Sequence, residues 1–182
     1  LINIANDIRW LGSGPRCGIG ELKLPATQPG SSIMPGKVNP VMSEMLIQVC
    51  AQVIGNDATV AFAGTFGAFE LNTMLPVSGF NRLQSIELLA NGSRVFAERC
   101  VNGLEADRVR CEKSIEQSLA MCTALAPVIG YDQAAKIAKI AHETNQTVRE
   151  VASEVSGLDR NRLDELLNPR RQTVPNPEAV KQ

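Results

Sequence analysis

The chain has 182 residues, 44% of them hydrophobic, with 18 basic and 19 acidic side chains, a net charge of -1 and a pI near 5.9. That is enough apolar material for the core of one domain or two small ones, and the balanced charge excludes a basic surface for nucleic acid. No charge-free run reaches the roughly 18 to 20 apolar residues that span a bilayer, because Asp57 and Glu70 interrupt the longest stretches, and no membrane partner is expected.

The five cysteines, Cys17, Cys50, Cys100, Cys111 and Cys122, form no C-x-x-C pair and are odd in number. This favours reduced thiols over a disulfide frame or a zinc site. The lone histidine, His142, leaves no basis for a histidine metal site. No signal or transit peptide is visible. A bacterial cytoplasmic location is expected, with mitochondria left open because a transit peptide would lie ahead of this chain.

Leu1, Ile4, Ala5, Ile8 and Leu11 recur at helical spacing from the first residue, with no capping residue before them. The reading is a helix entered in its middle, and the chain is expected to be the C-terminal part of a longer protein. Gly12-Ser13-Gly14-Pro15 stops that helix, and an irregular stretch with one short candidate strand at 21–24 leads to residue 30. Residues 41 to about 72 read as one helix, apolar nearly all round, of the kind that sits at the centre of a bundle. Gly55, Gly64 and Gly67 weaken it locally. Pro76 separates it from a second long helix, about 78 to 101, with Leu83, Ile86, Leu89, Val95 and Phe96 expected to face the core.

Charge density rises after Gly103. Shorter helices are predicted near 107–118, 120–129, 131–143, 148–155 and 160–167, with Asp107, Asp132, Thr147 and Asp159 as caps or first-turn residues. A polar, proline-bearing tail follows from 169, where Arg170 and Arg171 are read as solvated. The prediction is an all-α fold in two parts: 1–102, part of a central helical bundle, and 103–182, a small C-terminal helical domain with its tail.

Between the irregular stretch and the long helix lies Gly30-Ser31-Ser32-Ile33-Met34-Pro35-Gly36-Lys37-Val38-Asn39-Pro40. Two glycines and two prolines in eleven residues exclude a helix or a central strand. The loop brings two hydroxyls, a cation and an amide to the start of the most apolar helix. There, unpaired N–H groups and the helix dipole favour an anion. Lys37 and Asn39 beside such an end make a carboxylate cradle. As an ordinary linker, the same residues would simply be solvated.

Every fixed position of this run matches G-S-S-x-x-P-x-K-x-N-P, and the loop resembles the signature of the fumarase/aspartase superfamily. The resemblance to class II fumarase (fumarate hydratase) extends through Ile4–Leu11, Gly14-Pro15-Arg16-Cys17-Gly18, Gln28-Pro29-Gly30, Thr123-Ala124-Leu125 and Ile129-Gly130-Tyr131-Asp132. Gly36 also fits fumarase, since aspartases more often carry alanine there.

The resemblance implies reversible trans addition of water to fumarate, giving L-malate through an aci-carboxylate, with no metal and no organic cofactor. It implies Ser31 as the base for the carbon-bound proton, and Ser32, Lys37, Val38 (through its backbone) and Asn39 as substrate-binding residues. Glu44 is implied as the partner of a catalytic histidine from an earlier family segment, which His142 does not match. It implies a homotetramer whose active sites are shared among subunits and bind a small dicarboxylate, fumarate or L-malate. Aspartate ammonia-lyase is the nearest rival reading, and a catalytically silent oligomeric scaffold is the rival of another class. Arg9 and Arg16 are candidates to approach a dianion or to form ion pairs, and Trp10 is read as packing.

Overall fold

A computed structural model describes residues 1–28, 33–34 and 36–174. They form an all-α structure in which the only strands among the described residues are two-residue pairs. The chain divides into two compact units, Leu1–Asp107 and Arg108–Gln182.

The first unit is built on α1 (Ile2–Leu11), α2 (Val41–Ala63) and α3 (Leu75–Arg99). α2 packs along α3, and α1 packs against α2. Ala5, Leu46, Phe96 and Cys100 form the buried core. Helices α2 and α3 approach closely at Gly92, where an added Cβ would lie 3.4 Å from Val49 and 3.5 Å from Leu46. Farther along, buried Asn56 fixes their register. Its Nδ2 donates to Gln84 Oε1 and Ser85 Oγ, each at 3.0 Å, and its Oδ1 accepts from Gln52 at 2.9 Å.

α2 ends at Ala63, short of the predicted 72, and spans about 35 Å at 1.5 Å per residue. The chain turns at Gly64, and β2 (Gly67–Ala68) pairs antiparallel with β3 (Leu71–Asn72). Asn72 closes the break by donating to the terminal Ala63 carbonyl at 2.9 Å, while its Oδ1 accepts from Met74 N at 2.8 Å. α3 starts earlier than predicted, at Leu75, because Pro76 falls in its first turn, where a missing N–H costs nothing.

Leu83 and Ile86 do not face a core within this chain, being 69% and 65% exposed. Periodicity marks an apolar face but not what covers it. α2 is long and apolar enough, by length and composition alone, to cross a membrane. Its buried amide cluster against α3 is instead that of a bundle helix.

β1 (Leu22–Lys23), at the candidate strand, pairs antiparallel with β4 (Glu105–Ala106), and Lys23 lies 3.5 Å from Asp107. This pairing holds residues 103–107 to the first unit, which runs to Asp107.

In the second unit, α4 (Arg108–Glu116) precedes a 3₁₀ stretch (Leu119–Ala124), α5 (Ala126–Ile129), α6 (Tyr131–Thr144), α7 (Val148–Val155), α8 (Arg160–Leu166) and α9 (Pro169–Gln172). Leu125, Ile137, Val148, Val151 and Leu167 are fully buried at its centre. Asp159 Oδ1 caps α8, accepting from Arg162 N at 3.0 Å. Arg149 ties α4, α7 and α8 together through Glu116 (2.7 Å) and Asp164 (2.6 Å). The described start of the tail, 168–174, is exposed, as read for Arg170 and Arg171, and it carries one further helical turn. Asn168 caps α9, Arg171 pairs with Glu165, and Gln172 reaches Met121 Sδ at 3.6 Å.

Thr147 and Glu150 form a reciprocal capping box on α7. Thr147 N donates to Glu150 Oε2 at 2.7 Å, and Glu150 N donates to Thr147 Oγ1 at 3.2 Å. The Thr147 backbone bond, followed by its hydroxyl bond, holds the Glu150 carboxyl below the ordinary value of 4.5. A lowered carboxylate stabilises the fold above its unfolded value, and that contribution is lost as pH falls through the folded one. Glu150→Gln, which keeps the box without the charge, is therefore expected to flatten the loss of thermal stability below about pH 4.5, as read from melting temperature against pH.

Candidate active-site loop

The described segments on either side of residues 30–40 are anchored. On its entry side, Ser13 Oγ donates to Trp10 O at 2.5 Å and accepts from Ile19 N at 3.0 Å, tying the irregular stretch to the end of α1. Leu24 then packs on Gly12, where an added Cβ would come within 2.6 Å of Leu24 Cγ. Pro25 packs on Gly103, 3.1 Å from an added Cβ. On the exit side the chain enters α2, whose position is set by the core at Leu46.

Ser31 and Ser32 lie outside the described residues. Of the others, Lys37 is exposed, with its N–H donating to Met34 O at 3.2 Å to close a tight turn. Gly36 occupies the third position of that turn at φ +77°, the value a type II turn requires and a side chain resists. Open space surrounds the point where its Cβ would be, so the cost of alanine there is that of the backbone alone. Gly36→Ala is expected to destabilise this turn by about 1 kcal/mol. A loss of stability in urea unfolding of the full-length protein would check this.

Val38 is exposed and Asn39 half-buried. The Asn39 carbonyl accepts from Val41 N at 2.9 Å. Glu44 is half-buried in the first turn of α2, its N–H donating to Pro40 O at 3.1 Å, where the dipole favours its charge. Lys37, Asn39 and Glu44 thus stand on one short stretch at a helix start, with no ion pair between them among the described residues. His142 is exposed on α6 in the second unit. Arg16 is exposed, and Arg9 lies over the Trp10 ring, 5.7 Å from its centre. Trp10 is itself more than half exposed, so its packing partner is this cation and not the core.

Ser43 escaped the sequence reading. It is buried in the first turn of α2, and its spacing to Leu46 and Cys50, three and seven residues on, is the signal that would have placed it on the core face.

Comparison with known proteins fits this loop and the helices around it. A lyase family model matches residues 1–55, and a model of the fumarase C C-terminus matches residues 121–173. Fumarate hydratase class II of Oceanobacillus iheyensis is 53% identical over 175 residues, and that of Bacillus subtilis is 48% identical over 175 residues. Each alignment covers 96% of this chain and 38% of the relative. The chain thus spans under two-fifths of the length of the curated relatives it matches. The class II fumarase structure from Schistosoma mansoni superposes with a TM-score of 0.89 at 40% identity, over 96% of this chain and 36% of that one. A fumarate lyase:delta crystallin structure from Brucella melitensis gives a TM-score of 0.87 at 52% identity, over 96% of this chain and 38% of that one. Matched across both units by sequence and by fold, the chain belongs to the class II fumarase family of lyases.

Proposed function

We propose that this chain carries the serine-loop segment of a fumarate hydratase, which adds water reversibly and in trans to fumarate to give L-malate. The observation that carries this reading is the complete signature at 30–40, set at the start of α2 in a chain about half identical to proteins named fumarate hydratase class II.

In the malate direction, the difficult step is loss of a weakly acidic proton beside a carboxylate. Ser31 takes that proton. A neutral hydroxyl is a poor base, so Ser31 acts as an alkoxide held by neighbouring donors and positive charge. The electron pair left on carbon spreads into the adjacent carboxylate as an aci form. Lys37, Asn39, Ser32 and the backbone of Val38 bind the substrate and meet that charge, and preorganised donors of this kind commonly supply the largest catalytic term. Glu44 orients and tunes a histidine contributed by another segment. This chemistry needs neither a metal nor an organic cofactor.

The active site is shared within a homotetramer. Ile54, Phe80, Leu83 and Ile86, apolar residues left exposed on α2 and α3, support burial of those helices by further copies or segments. The 182 residues alone are accordingly expected to show no turnover.

The deciding experiment follows fumarate by ultraviolet absorbance in the full-length protein supplied with L-malate or with L-aspartate. Turnover of malate alone is expected. Turnover of aspartate would make the protein an ammonia-lyase, and activity on neither, with the tetramer intact, would make it a silent scaffold.

A further inference from the structure

α2 starts without a side-chain cap, because Pro40 at the cap position offers no side-chain acceptor. The first N–H groups of such a helix need partners from elsewhere. Val41 N and Glu44 N find them in the Asn39 and Pro40 carbonyls. Between these two, the N–H groups of Met42 and Ser43 make no backbone hydrogen bond among the described residues. The Ser43 side chain adds a third unanswered group. It is 1% exposed, and its Oγ has no hydrogen-bond partner among the described residues. Leaving a buried hydroxyl unpaired is costly, and native structures rarely do so.

Met42 and Ser43 line a cavity of about 10 Å³, whose walls also include Thr27, Asn39 and Arg99. That volume matches the one probe sphere a single water occupies. A carboxylate, with three heavy atoms, does not fit. The walls are largely apolar, with Thr27, Asn39, Ser43 and Arg99 as the polar side chains, and the positive end of the helix favours an occupant that accepts hydrogen bonds. Water can accept from the first-turn N–H groups and donate back to Ser43 Oγ, which reaches the two to four polar contacts typical of buried water.

We infer that this cavity binds one ordered water, and that Ser43 acts through it as a positioning residue for Asn39 and Glu44. The water completes the missing cap of α2. It thereby holds the helix start from which both residues project. The kinetic consequence rests on the fumarate hydratase reading, whereas the water site does not.

The test uses the full-length protein and its Ser43→Ala variant. A high-resolution crystal structure is expected to show a single water within hydrogen-bond distance of Ser43 Oγ, lost or displaced in the variant. A dry cavity would overturn the inference. Melting temperature gives an independent sign. Removing a water-anchoring hydroxyl lowers it by a few degrees, whereas removing a hydroxyl that truly lacks a partner raises it, and a rise would also overturn the inference. In fumarate hydration, the variant is expected to raise KM roughly fivefold, about the value of one neutral hydrogen bond, with kcat changed less than about twofold. An unchanged KM would reject the positioning role. If the unmodified protein turned over no fumarate, the hydratase reading would fail while the density and melting results still judged the water.

Discussion

Ser31→Ala in the full-length protein is expected to lower kcat for fumarate hydration and for malate dehydration alike by about 100- to 10,000-fold, the range a positioned general base contributes. KM should change little, because the base acts on the reacting proton more than on the bound carboxylates. Ser32→Ala should do the reverse, raising KM more than it lowers kcat, since Ser32 is assigned to binding. The contrast matters because both serines stand in one loop and either could carry an alkoxide. Base function requires local positive charge, for which Lys37 and the start of α2 are the proposed sources. The measurement is initial rate against substrate concentration in both directions, with folding of each variant checked by circular dichroism. A Ser31→Ala enzyme within tenfold of the parent would remove Ser31 as the base. Exchange of the two phenotypes would transfer the role to Ser32.

Leu46→Ala carries the largest expected stability effect. Leu46 is fully buried in the first unit's core with Ala5, Phe96 and Cys100, and it packs on the close approach at Gly92. Three helices meet around it, so the site cannot collapse by shifting one side chain. Truncation there is expected to cost about 2 to 5 kcal/mol, the usual range for a buried leucine, measured by urea unfolding of the full-length protein. Leu46 lies two residues past Glu44 and three past Ser43. The same change is therefore expected to loosen the start of α2 and raise KM for fumarate. A loss below about 1 kcal/mol would mean that the core at this point repacks freely, and that α2 is not anchored there.

The sequence by itself determined the features that depend on neighbouring residues. The all-α class, the end of α1 before Gly12, the start of α2 after Pro40, and the caps at Thr147 and Asp159 follow from periodicity, glycine and proline placement, and side chains reaching two or three residues along the chain. The signature loop was legible for the same reason, since its motif is contiguous. Only the tertiary structure decided the rest. α2 stops at Ala63 because Asn72, nine residues away, folds back to take its carbonyl, a contact that no local pattern encodes. The α9 turn packs back because Gln172 meets Met121 across 51 positions. Leu83 and Ile86 lie outside the core, and Ser43 lies inside it. Helical spacing places residues on a common face, but which face is covered depends on elements distant in the chain, and burial is a property of that packing.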